Sequence, residues 1–460
     1  MNRRVWAEAA LLPTGWARGV LLQWDEEGLL SRVETNQQAP GDAVILSGPV
    51  IPGMPNLHSH AFQRAFAGLT EYRRKGNDSF WSWRDLMYRF ALRLNPEQLE
   101  AIATWLYVEM LEAGYTSVCE FHYLHHKENG QPYADTATLS KALLRAAHRV
   151  GIGMTLLPVL YQHSNFGAQP PQEDQRRFIR QTDDMLALIQ GLLPDCQEQG
   201  AQLGLAPHSL RAVSPASLGE AVAGMNEINP EAPLHLHIAE QRKEVDDCLA
   251  WSGLRPVEWL VANMPIDGRR CLVHATHMTS GEAHAAAKTG AVAGLCPTTE
   301  ANLGDGIFDM QSWREGEGRW GVGSDSHAAV NAAEELMLLE YSQRLATTQR
   351  NVITDANEPY VANAMMLAAV KGGSQASGRR IAGLQAGQHA DFVVLDSQHV
   401  ALAALSPSDM LSAHVFASQR TSAILQVWQR GICRVENGLH HLHQEAAAAF
   451  ISARNTLLEI

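Results

Sequence analysis

The sequence predicts an α/β fold: a (β/α)8 TIM barrel with a small β-sandwich domain built from both chain termini. Three observations predict it. After Pro52, apolar runs of five to eight residues alternate with amphipathic helical segments, which is the order of a parallel barrel. Both ends of the chain carry strand-like runs separated by turns. The 460 residues, 46% of them hydrophobic, suffice for one large core and a smaller companion.

Residues 1–50 are predicted to form the first part of the small domain. The runs "GVLLQW", "LLSRVE" and "AVILSG" alternate with turns that contain Gly and Asp, which is typical of an antiparallel sheet. The segment "MNRRVWAEAALLPTGWARG" has Arg3 and Arg4, but the apolar run that follows is short and is broken by Glu8, so no signal peptide is predicted. No window approaches about 18 uninterrupted apolar residues, and we therefore expect a cytoplasmic protein.

Residues 51–380 are predicted to form the barrel. Its helical segments carry clear boundary signals, since "NPEQLEAIATWLYVEMLEAG" begins with Asn-Pro and ends on Gly114. Between such segments lie the eight apolar runs that are predicted as strands: "VIPGMPNLHSH", "TSVCEFHY", "MTLLPVLY", "LGLAPHSL", "LHLHIAE", "CLVHATHM", "AVAGLCPTT" and "WGVGSDSH".

Residues 381–460 return to strand-like runs and turns, in "IAGLQAGQHADFVVLDS" and "AILQVWQRGICRVENG". Because residues 1–50 show the same alternation of strand-like runs and turns, we expect this segment to complete the small β domain.

Charge and cysteine usage argue against several classes of protein. The formal net charge is −13 and no basic cluster stands out, so neither a nucleic-acid partner nor a membrane surface is expected. The six cysteines are scattered without a CxxC pair and sit in or near apolar runs. They are predicted to be reduced, mostly buried thiols rather than a disulfide framework.

Polar, titratable side chains crowd the carboxyl ends of the predicted barrel strands. Barrels of this kind place their chemistry at that end, because the loops there line the open face. The residues are His58, His60, His122, Tyr123, His208, His235, His237, Glu240, His274, His277, Asp325 and His327.

Two of these histidines, His58 and His60, have a single residue between them in "NLHSHAFQRAFAGL". Side chains two positions apart on a strand point to the same face, so His58 and His60 can converge on one metal ion. Zinc sites that catalyse hydrolysis combine imidazole and carboxylate ligands and leave one position open for water. His237 and Asp325 supply a third imidazole and a carboxylate. A single strand-end histidine is often only a core residue, but four correlated positions predict a metal site.

These residues, in this order, resemble the amidohydrolase superfamily, whose barrel carries HxH on strand 1, His on strands 5 and 6, and Asp on strand 8. The segment "GLQAGQHADFVVLD" is similar to the superfamily's C-terminal sheet motif. Binuclear members carry a carboxylated lysine on strand 4, whereas "AQLGLAPHSL" has no Lys. The resemblance therefore implies one Zn2+ per subunit, although the ligand set also admits iron or manganese. It also implies a homodimer, because relatives are often dimers.

The segment "HIAE", His237 to Glu240, resembles the HxxE signature of the superfamily's deaminase branch. In that branch the glutamate handles the proton that leaves with ammonia, so the resemblance implies C–N cleavage with Glu240 as a catalytic residue. It further implies Asp325 as the base and His274 as the residue that assists it and polarises the developing tetrahedral centre. Two narrower roles stay open, in which Glu240 only orients a ligand histidine or His274 is itself a ligand.

Within this branch, "NLHSHAFQRAFAGL", "EFHYLHH" and "GSDSH" look most like the deaminases that hydrolyse N-formimino-L-glutamate to N-formyl-L-glutamate and ammonia in bacterial histidine degradation. That small-molecule dicarboxylate amidine needs donors for its carboxylates, and Arg211, after strand 4, can hold one in its planar fork. The further predicted donors are Gln63, Tyr123 and His208, with Arg64, Arg84 and His163 as weaker candidates. We expect His235, His277 and His327 to orient ligands or to be structural.

Three alternatives remain at this stage. A deaminase of the same branch that acts on a cyclic amidine, guanine or S-adenosylhomocysteine, would favour aromatic stacking over paired carboxylate donors. A barrel kept as a scaffold after losing its chemistry would show eroded ligands, whereas all of the expected residues are present. A binuclear amidase would bind two metals and release an amine or acid instead of ammonia.

Overall fold

The computed structural model of the chain describes residues 3–72, 80–354, 356–418 and 421–459. Its strands are β1 (Arg4–Leu12), β2 (Gly15–Trp24), β3 (Leu30–Glu34), β4 (Val44–Ile45), β5 (Val50–Pro52), β6 (Met54–Ser59), β7 (Tyr115–His122), β8 (Gly153–Leu160), β9 (Gln202–Leu203), β10 (Ala206–Pro207), β11 (Leu234–Ile238), β12 (Arg270–His274), β13 (Val292–Leu295), β14 (Arg319–Val322), β15 (Phe392–Leu395), β16 (Ile424–Gln429), β17 (Ile432–Glu436) and β18 (Leu439–His440).

The helices follow the strands in the order that a barrel requires. They are α1 (Phe80–Ala91), α2 (Pro96–Glu112), α3 (Thr138–Val150), α4 (Thr182–Gln199), α5 (Pro215–Ile228), α6 (Arg242–Ser252), α7 (Pro256–Asn263), α8 (Ser280–Ala287), α9 (Pro297–Leu303), α10 (Met310–Glu315), α11 (Ala332–Thr347), α12 (Val361–Ser377), α13 (Pro407–Phe416) and α14 (His443–Leu458), with 3-10 helices at Ala61–Phe66 and Glu173–Gln175. The predicted start signal of α2 is present, because the Asn95 side chain caps the helix and Pro96 is its first residue.

Eight parallel strand positions form a closed α/β barrel. One half consists of β6, β7, β8 and the pair β9 and β10, and the other of β11 to β14. Parallel bridges close the ring: Leu205 pairs with Leu234, Ser209 with His237, and Ser59 with Asp325. The predicted fourth strand is thus two short pieces, while the other seven runs each contain one barrel strand.

Strands from both ends of the chain join one nine-stranded sheet beside the barrel, in the order β18-β17-β16-β15-β5-β1-β2-β3, with β4 paired to β1. The chain ends meet where β15 runs antiparallel to β5 and β5 runs parallel to β1. A separate core fills this region, in which the rings of Trp24, Phe392 and Trp428 pack together. That the sheet folds into two layers stays a prediction.

The junction between sheet and barrel differs in detail from the sequence pattern. The run "VIPGMPNLHSH" is divided at Gly53, so that β5 belongs to the terminal sheet and β6 to the barrel. Two helices of residues 381–460 lie outside the sheet: α13 packs against α11 and α12, and α14 packs against α2.

All six cysteines are free thiols, five of them buried and Cys433 partly exposed, which confirms the expectation from their spacing. Among the described residues, no helix is both long and apolar enough to cross a membrane.

Candidate metal centre and substrate cavity

Four buried side chains converge at the carboxyl end of the barrel. His58 and His60 come from the end of β6, His237 from β11, and Asp325 from the turn after β14. The Nε2 atom of His58 lies 3.0 Å from the Nε2 atoms of both His60 and His237. Asp325 Oδ1 lies 3.3 Å from His58 Nε2 and 3.2 Å from His60 Nε2. The structure therefore brings together the four residues that the sequence predicts as metal ligands.

The chemistry of this donor set fits a divalent cation. His60 Nδ1 donates a hydrogen bond to the Phe121 carbonyl at 2.9 Å, and His237 Nδ1 donates to that of His208 at 3.2 Å. These bonds leave the Nε2 lone pairs directed at one another, an arrangement that a cation stabilises. Tetrahedral zinc, with Zn–N distances near 2 Å, places its donors roughly 3.3 Å apart. The observed separations are close to that spacing.

The protonation states also suit metal binding. Burial lowers the pKa of His58 to about 3 and that of His237 well below its usual value, so both imidazoles are neutral. Burial alone would raise the pKa of Asp325, but its close contacts with His58 and His60 hold it well below its ordinary range. Metal ligands must be deprotonated, and these groups are.

A second group of donors shares one residue with the first, since His274 and Cys296 also lie near Asp325. Burial raises the pKa of the Cys296 thiol well above its usual value, so it stays protonated and is a poor ligand. The site of three histidines and one aspartate is therefore the better metal centre.

Buried hydrogen bonds fix the two strands that carry three of these ligands. Asn56 Nδ2 donates to Ser324 Oγ at 2.6 Å, and its Oδ1 accepts from the Ser324 amide at 3.1 Å, which joins β6 to the end of β14. The Glu120 carboxylate accepts from Ser59 Oγ at 2.6 Å and from the Ala61 amide at 2.7 Å. The backbone around both histidines of β6 is thus held on two sides.

The backbone at the strand ends is strained. Such left-handed conformations are rare for residues other than glycine and each costs on the order of 1 kcal/mol or more. Five non-glycine residues around the site have φ between 45° and 66°: Ala239, His274, Ala275, Asp325 and His327. The concentration of strain at the ends of β11, β12 and β14 is typical of a functional site.

Glu240, His274 and Asp325 form a group of acid–base side chains beside the donor set. His274 Nε2 lies 3.9 Å from Glu240 Oε1 and 3.8 Å from Asp325 Oδ2, while its Nδ1 donates to Glu300 Oε1 at 3.3 Å. Burial opposes a charge on His274, but Glu240, Glu300 and Asp325 raise its pKa to about 10. Burial raises the pKa of Glu240, and the nearby His274 and Arg211 partly offset this effect.

These groups face a cavity of about 610 Å³, open mouth included. The cavity contains every residue predicted from sequence to contact substrate: Gln63, Tyr123, His208 and Arg211. Gln63 Nε2 donates to the Tyr123 hydroxyl at 2.8 Å. Among the described residues, Gln63 Oε1 and Arg211 Nε are buried without a hydrogen-bond partner, so both remain able to bind a polar ligand.

Several residues that line the cavity were not predicted from sequence as substrate contacts, or were predicted only as weaker candidates. They are Trp83, Arg84, Met87, Tyr88, Tyr161, Phe178 and Leu303. Three of them share a helical face, because Arg84, Met87 and Tyr88 follow the spacing of one side of α1. Tyr161 directly follows β8, at the end of the run "MTLLPVLY", so the rule that places chemistry at strand ends could have found it. Phe178 comes from a loop whose path no periodicity reveals.

Other candidate residues have structural partners away from the cavity. Arg64 makes two hydrogen bonds of 2.7 Å to Glu109, and it does not line the cavity, nor does His163. His235 Nε2 donates to the Ala376 carbonyl at 2.8 Å. His327 lies between Ser324 Oγ and Ser59 Oγ, at 3.0 and 3.3 Å, behind the ligand strands.

Gly323 permits the close approach of β14 to β6. A Cβ atom there would lie 2.7 Å from the His58 amide nitrogen and 2.9 Å from His58 Cβ. Gly323→Ala is expected to lower the free energy of unfolding by about 1–3 kcal/mol and to weaken metal binding, because His58 must move. Urea denaturation and zinc titration measure both effects. Gly219→Ala on α5, where a Cβ meets nothing within 4 Å, is the control, and equal behaviour of the two variants would contradict the prediction.

Comparison with known proteins extends these observations over nearly the whole chain. The profile of the amidohydrolase family matches residues 50–433. A curated protein of Pseudomonas aeruginosa named formimidoylglutamate deiminase is 48% identical over 455 residues, 99% of each chain. The crystal structure of an amidohydrolase from Brucella melitensis is 46% identical, with a TM-score of 0.93 over 99% of this chain and 100% of the other. The structure of an adenosine deaminase from Xanthomonas campestris with bound zinc is 18% identical, with a TM-score of 0.78 over 99% of this chain and 98% of that one; this likeness shows the fold alone.

Proposed function

We propose a reaction for this chain, which belongs to the amidohydrolase family: hydrolysis of N-formimino-L-glutamate to N-formyl-L-glutamate and ammonia, a step of histidine degradation. One observation carries the proposal. One cavity with an open mouth has candidate metal donors and acid–base groups at one side, and Arg211 with further polar donors around the rest. The 48% identity to a formimidoylglutamate deiminase over the full length supports this substrate.

The proposal includes one zinc ion per subunit, held by His58, His60, His237 and Asp325. Bound there, a divalent cation supplies a Lewis acid and lowers the pKa of water toward neutrality. The neutral imidazoles of His58 and His237 and the ionised Asp325 are already in the states that such a cation requires.

The acid–base side chains divide the proton transfers of hydrolysis. Asp325 accepts a proton from the attacking water as its oxygen bonds to the formimino carbon. His274, protonated between three carboxylates, donates a hydrogen bond to the tetrahedral centre. Glu240 delivers a proton to the formimino nitrogen, and the C–N bond breaks. As the C=O bond of N-formyl-L-glutamate forms, the hydroxyl of the tetrahedral centre returns a proton to Glu240, and the proton held by Asp325 leaves with ammonia.

Arg211→Met is expected to lower kcat/KM for N-formimino-L-glutamate about 100-fold, mainly through KM. The guanidinium is almost buried, with 11% of its side chain exposed, and charge-assisted hydrogen bonds of this kind contribute roughly 1.5–3 kcal/mol. Steady-state kinetics test it, with Arg145→Met as control, because Arg145 pairs with Glu100 on the surface. An unchanged kcat/KM would remove Arg211 from the substrate site.

A second candidate function is deamination of a cyclic amidine such as guanine or S-adenosylhomocysteine. The observation in its favour is the aromatic lining of the cavity by Trp83, Tyr88, Tyr161 and Phe178. Neutral guanine offers Arg211 no anionic group, and S-adenosylhomocysteine offers one carboxylate where N-formimino-L-glutamate offers two, which favours the dicarboxylate substrate.

The deciding experiment measures ammonia release by the zinc-loaded protein from N-formimino-L-glutamate, guanine and S-adenosylhomocysteine in parallel. N-formyl-L-glutamate is identified by NMR, since release of formamide and glutamate instead would mean cleavage of a different bond. Turnover of the first compound alone is the expected result. Turnover of a purine alone would transfer the proposal to the second candidate, and turnover of none would overturn both.

We also propose the domain bounds, the cellular location and the oligomeric state of the protein. We place the catalytic barrel at residues 51–380 and a small β-sandwich domain at residues 1–50 and 381–460, in a cytoplasmic homodimer. Light scattering and metal analysis of the purified protein test the dimer and the single zinc ion per subunit.

A further inference from the structure

Glu244 is a buried carboxylate directly behind Glu240. It is the third residue of α6, and only 1% of its side chain is exposed. Its Oε1 accepts from the Ala239 amide at 3.2 Å, and its Oε2 accepts from the Glu240 amide at 3.1 Å. Glu244 therefore fixes the backbone from which the Glu240 side chain projects.

This backbone needs support. Ala239 has φ of 50°, a left-handed conformation that a residue with a Cβ rarely adopts. The Ala239 amide donates to Glu244, and this hydrogen bond stabilises the turn between β11 and α6.

The same carboxylate lies beside Arg211. Glu244 Oε2 is 3.9 Å from Arg211 Nε, while Glu240 Oε2 is 3.8 Å from Arg211 Nη2. Both distances permit ion-pair attraction but exceed hydrogen-bond length, so neither carboxylate occupies the donors of Arg211. The guanidinium lies between two carboxylates and stays available to a carboxylate of the substrate.

We infer that Glu244 is a positioning residue that holds Arg211 away from Glu240 and aims both at the substrate. The inference rests on the proposed function. With a negative charge on each side, Arg211 is not drawn fully onto Glu240, and Glu240 keeps its freedom to exchange a proton. Without the charge of Glu244, Arg211 pairs with Glu240 directly.

Glu244→Gln is expected to lower kcat at least tenfold and to raise KM. The pairing of Arg211 with Glu240 withdraws Glu240 from proton transfer, which lowers kcat, and withdraws Arg211 from the substrate carboxylate, which raises KM. The amide keeps one oxygen for the backbone, so the fold is largely preserved. A kcat within twofold of wild type, or a kcat loss with an unchanged KM, would overturn the inference.

Glu282→Gln is the matched control. Glu282 occupies the same place in α8 that Glu244 has in α6, accepts from the Thr279 amide at 2.8 Å and pairs with Arg255 Nε at 2.6 Å. It does not line the cavity. This variant is expected to lose stability with no change in kcat, which separates positioning of the site from a general effect of losing a buried carboxylate.

A double-mutant cycle tests whether Glu244 acts through Arg211. In the Arg211→Met background, Glu244→Gln is expected to change kcat less than threefold, because no guanidinium remains to capture Glu240. An equal loss in both backgrounds would mean a purely structural role and would reject the inference.

A structural readout keeps this test independent of the substrate. Crystal structures of the wild type and of Glu244→Gln are expected to show that the Arg211–Glu240 contact shortens from 3.8 Å in the wild type to hydrogen-bond length in the variant. An unchanged contact overturns the inference even if the wild type hydrolyses N-formimino-L-glutamate. Inactivity of the wild type with a shortened contact overturns the proposed function and leaves the positioning role of Glu244 in place.

Discussion

Replacing Glu240 by Gln is expected to lower kcat for ammonia release about 1,000-fold while the bound metal stays at the wild-type level. General acid–base catalysis by one positioned side chain contributes roughly 10²–10⁴-fold, and an amide cannot deliver a proton to the leaving nitrogen. Glu240 lies 3.9 Å from His274 but belongs to neither group of candidate metal donors among the described residues, so the metal is retained. Steady-state kinetics and elemental analysis of the same sample measure both quantities.

Asp246→Asn is the control for this substitution. Asp246 is an exposed carboxylate on α6, near in sequence to Glu240 but pointing to solvent, and its loss is expected to leave kcat unchanged. A Glu240→Gln variant that keeps more than a tenth of wild-type kcat would remove Glu240 from proton transfer. Loss of metal in proportion to activity would instead make Glu240 an orienting residue for the ligands.

The position of the metal donors could be predicted because each follows from local rules. His58 and His60 share a face through the two-residue period of a strand, and each predicted ligand falls at the end of an apolar run. Barrel closure brings Asp325 to 3.3 Å from His58 and 3.2 Å from His60, because the bridge between Ser59 and Asp325 joins the ends of β6 and β14. The order of residues along the chain was sufficient to predict this site.

The supporting carboxylates could not be predicted in the same way. Glu120 lies within the run "TSVCEFHY" and Glu300 directly after "AVAGLCPTT", but both act through contacts with residues far away in sequence, Ser59 and His274, which the local pattern does not reveal. Glu244 lies only four residues after Glu240, but its role depends on the left-handed turn at Ala239, which periodicity does not reveal. Roles that depend on tertiary contacts or on backbone strain could therefore not be predicted from the sequence.

Some features of the fold could likewise be predicted from local sequence, and others could not. Apolar runs predicted the barrel strands, but the division of "VIPGMPNLHSH" between two sheets depends on pairing: Gly53 donates to the Asp391 carbonyl, while Met54 donates to that of Gly114. The helix α14 packs on α2, not on the terminal sheet, because its buried side chains, among them Phe450, meet the barrel helix. Strand and helix propensity decide which elements form, and tertiary packing decides which layer they join.

Removing the metal is expected to abolish turnover and to lower the thermal midpoint by several degrees. Four buried donors converge within 4.8 Å of one another, and without a cation their lone pairs repel. A ligand that binds only the folded state at 1,000 times its Kd stabilises it by about 4 kcal/mol. Dialysis against a chelator, followed by calorimetry and stepwise addition of Zn2+, measures the loss. Recovery is expected to be complete at one equivalent per subunit.

His237→Ala makes the same test without a chelator, and His235→Ala is its control. Both histidines lie on β11, but His237 supplies a donor to the metal site, whereas His235 bonds the Ala376 carbonyl. His237→Ala is expected to lose metal and turnover together, and His235→Ala to lose stability while it still binds one zinc ion. Two results would contradict a single site of three histidines and one aspartate: zinc binding by His237→Ala with wild-type affinity, or a need for two equivalents of zinc for full wild-type activity. A binuclear centre that recruits His274 and Cys296 would then take its place.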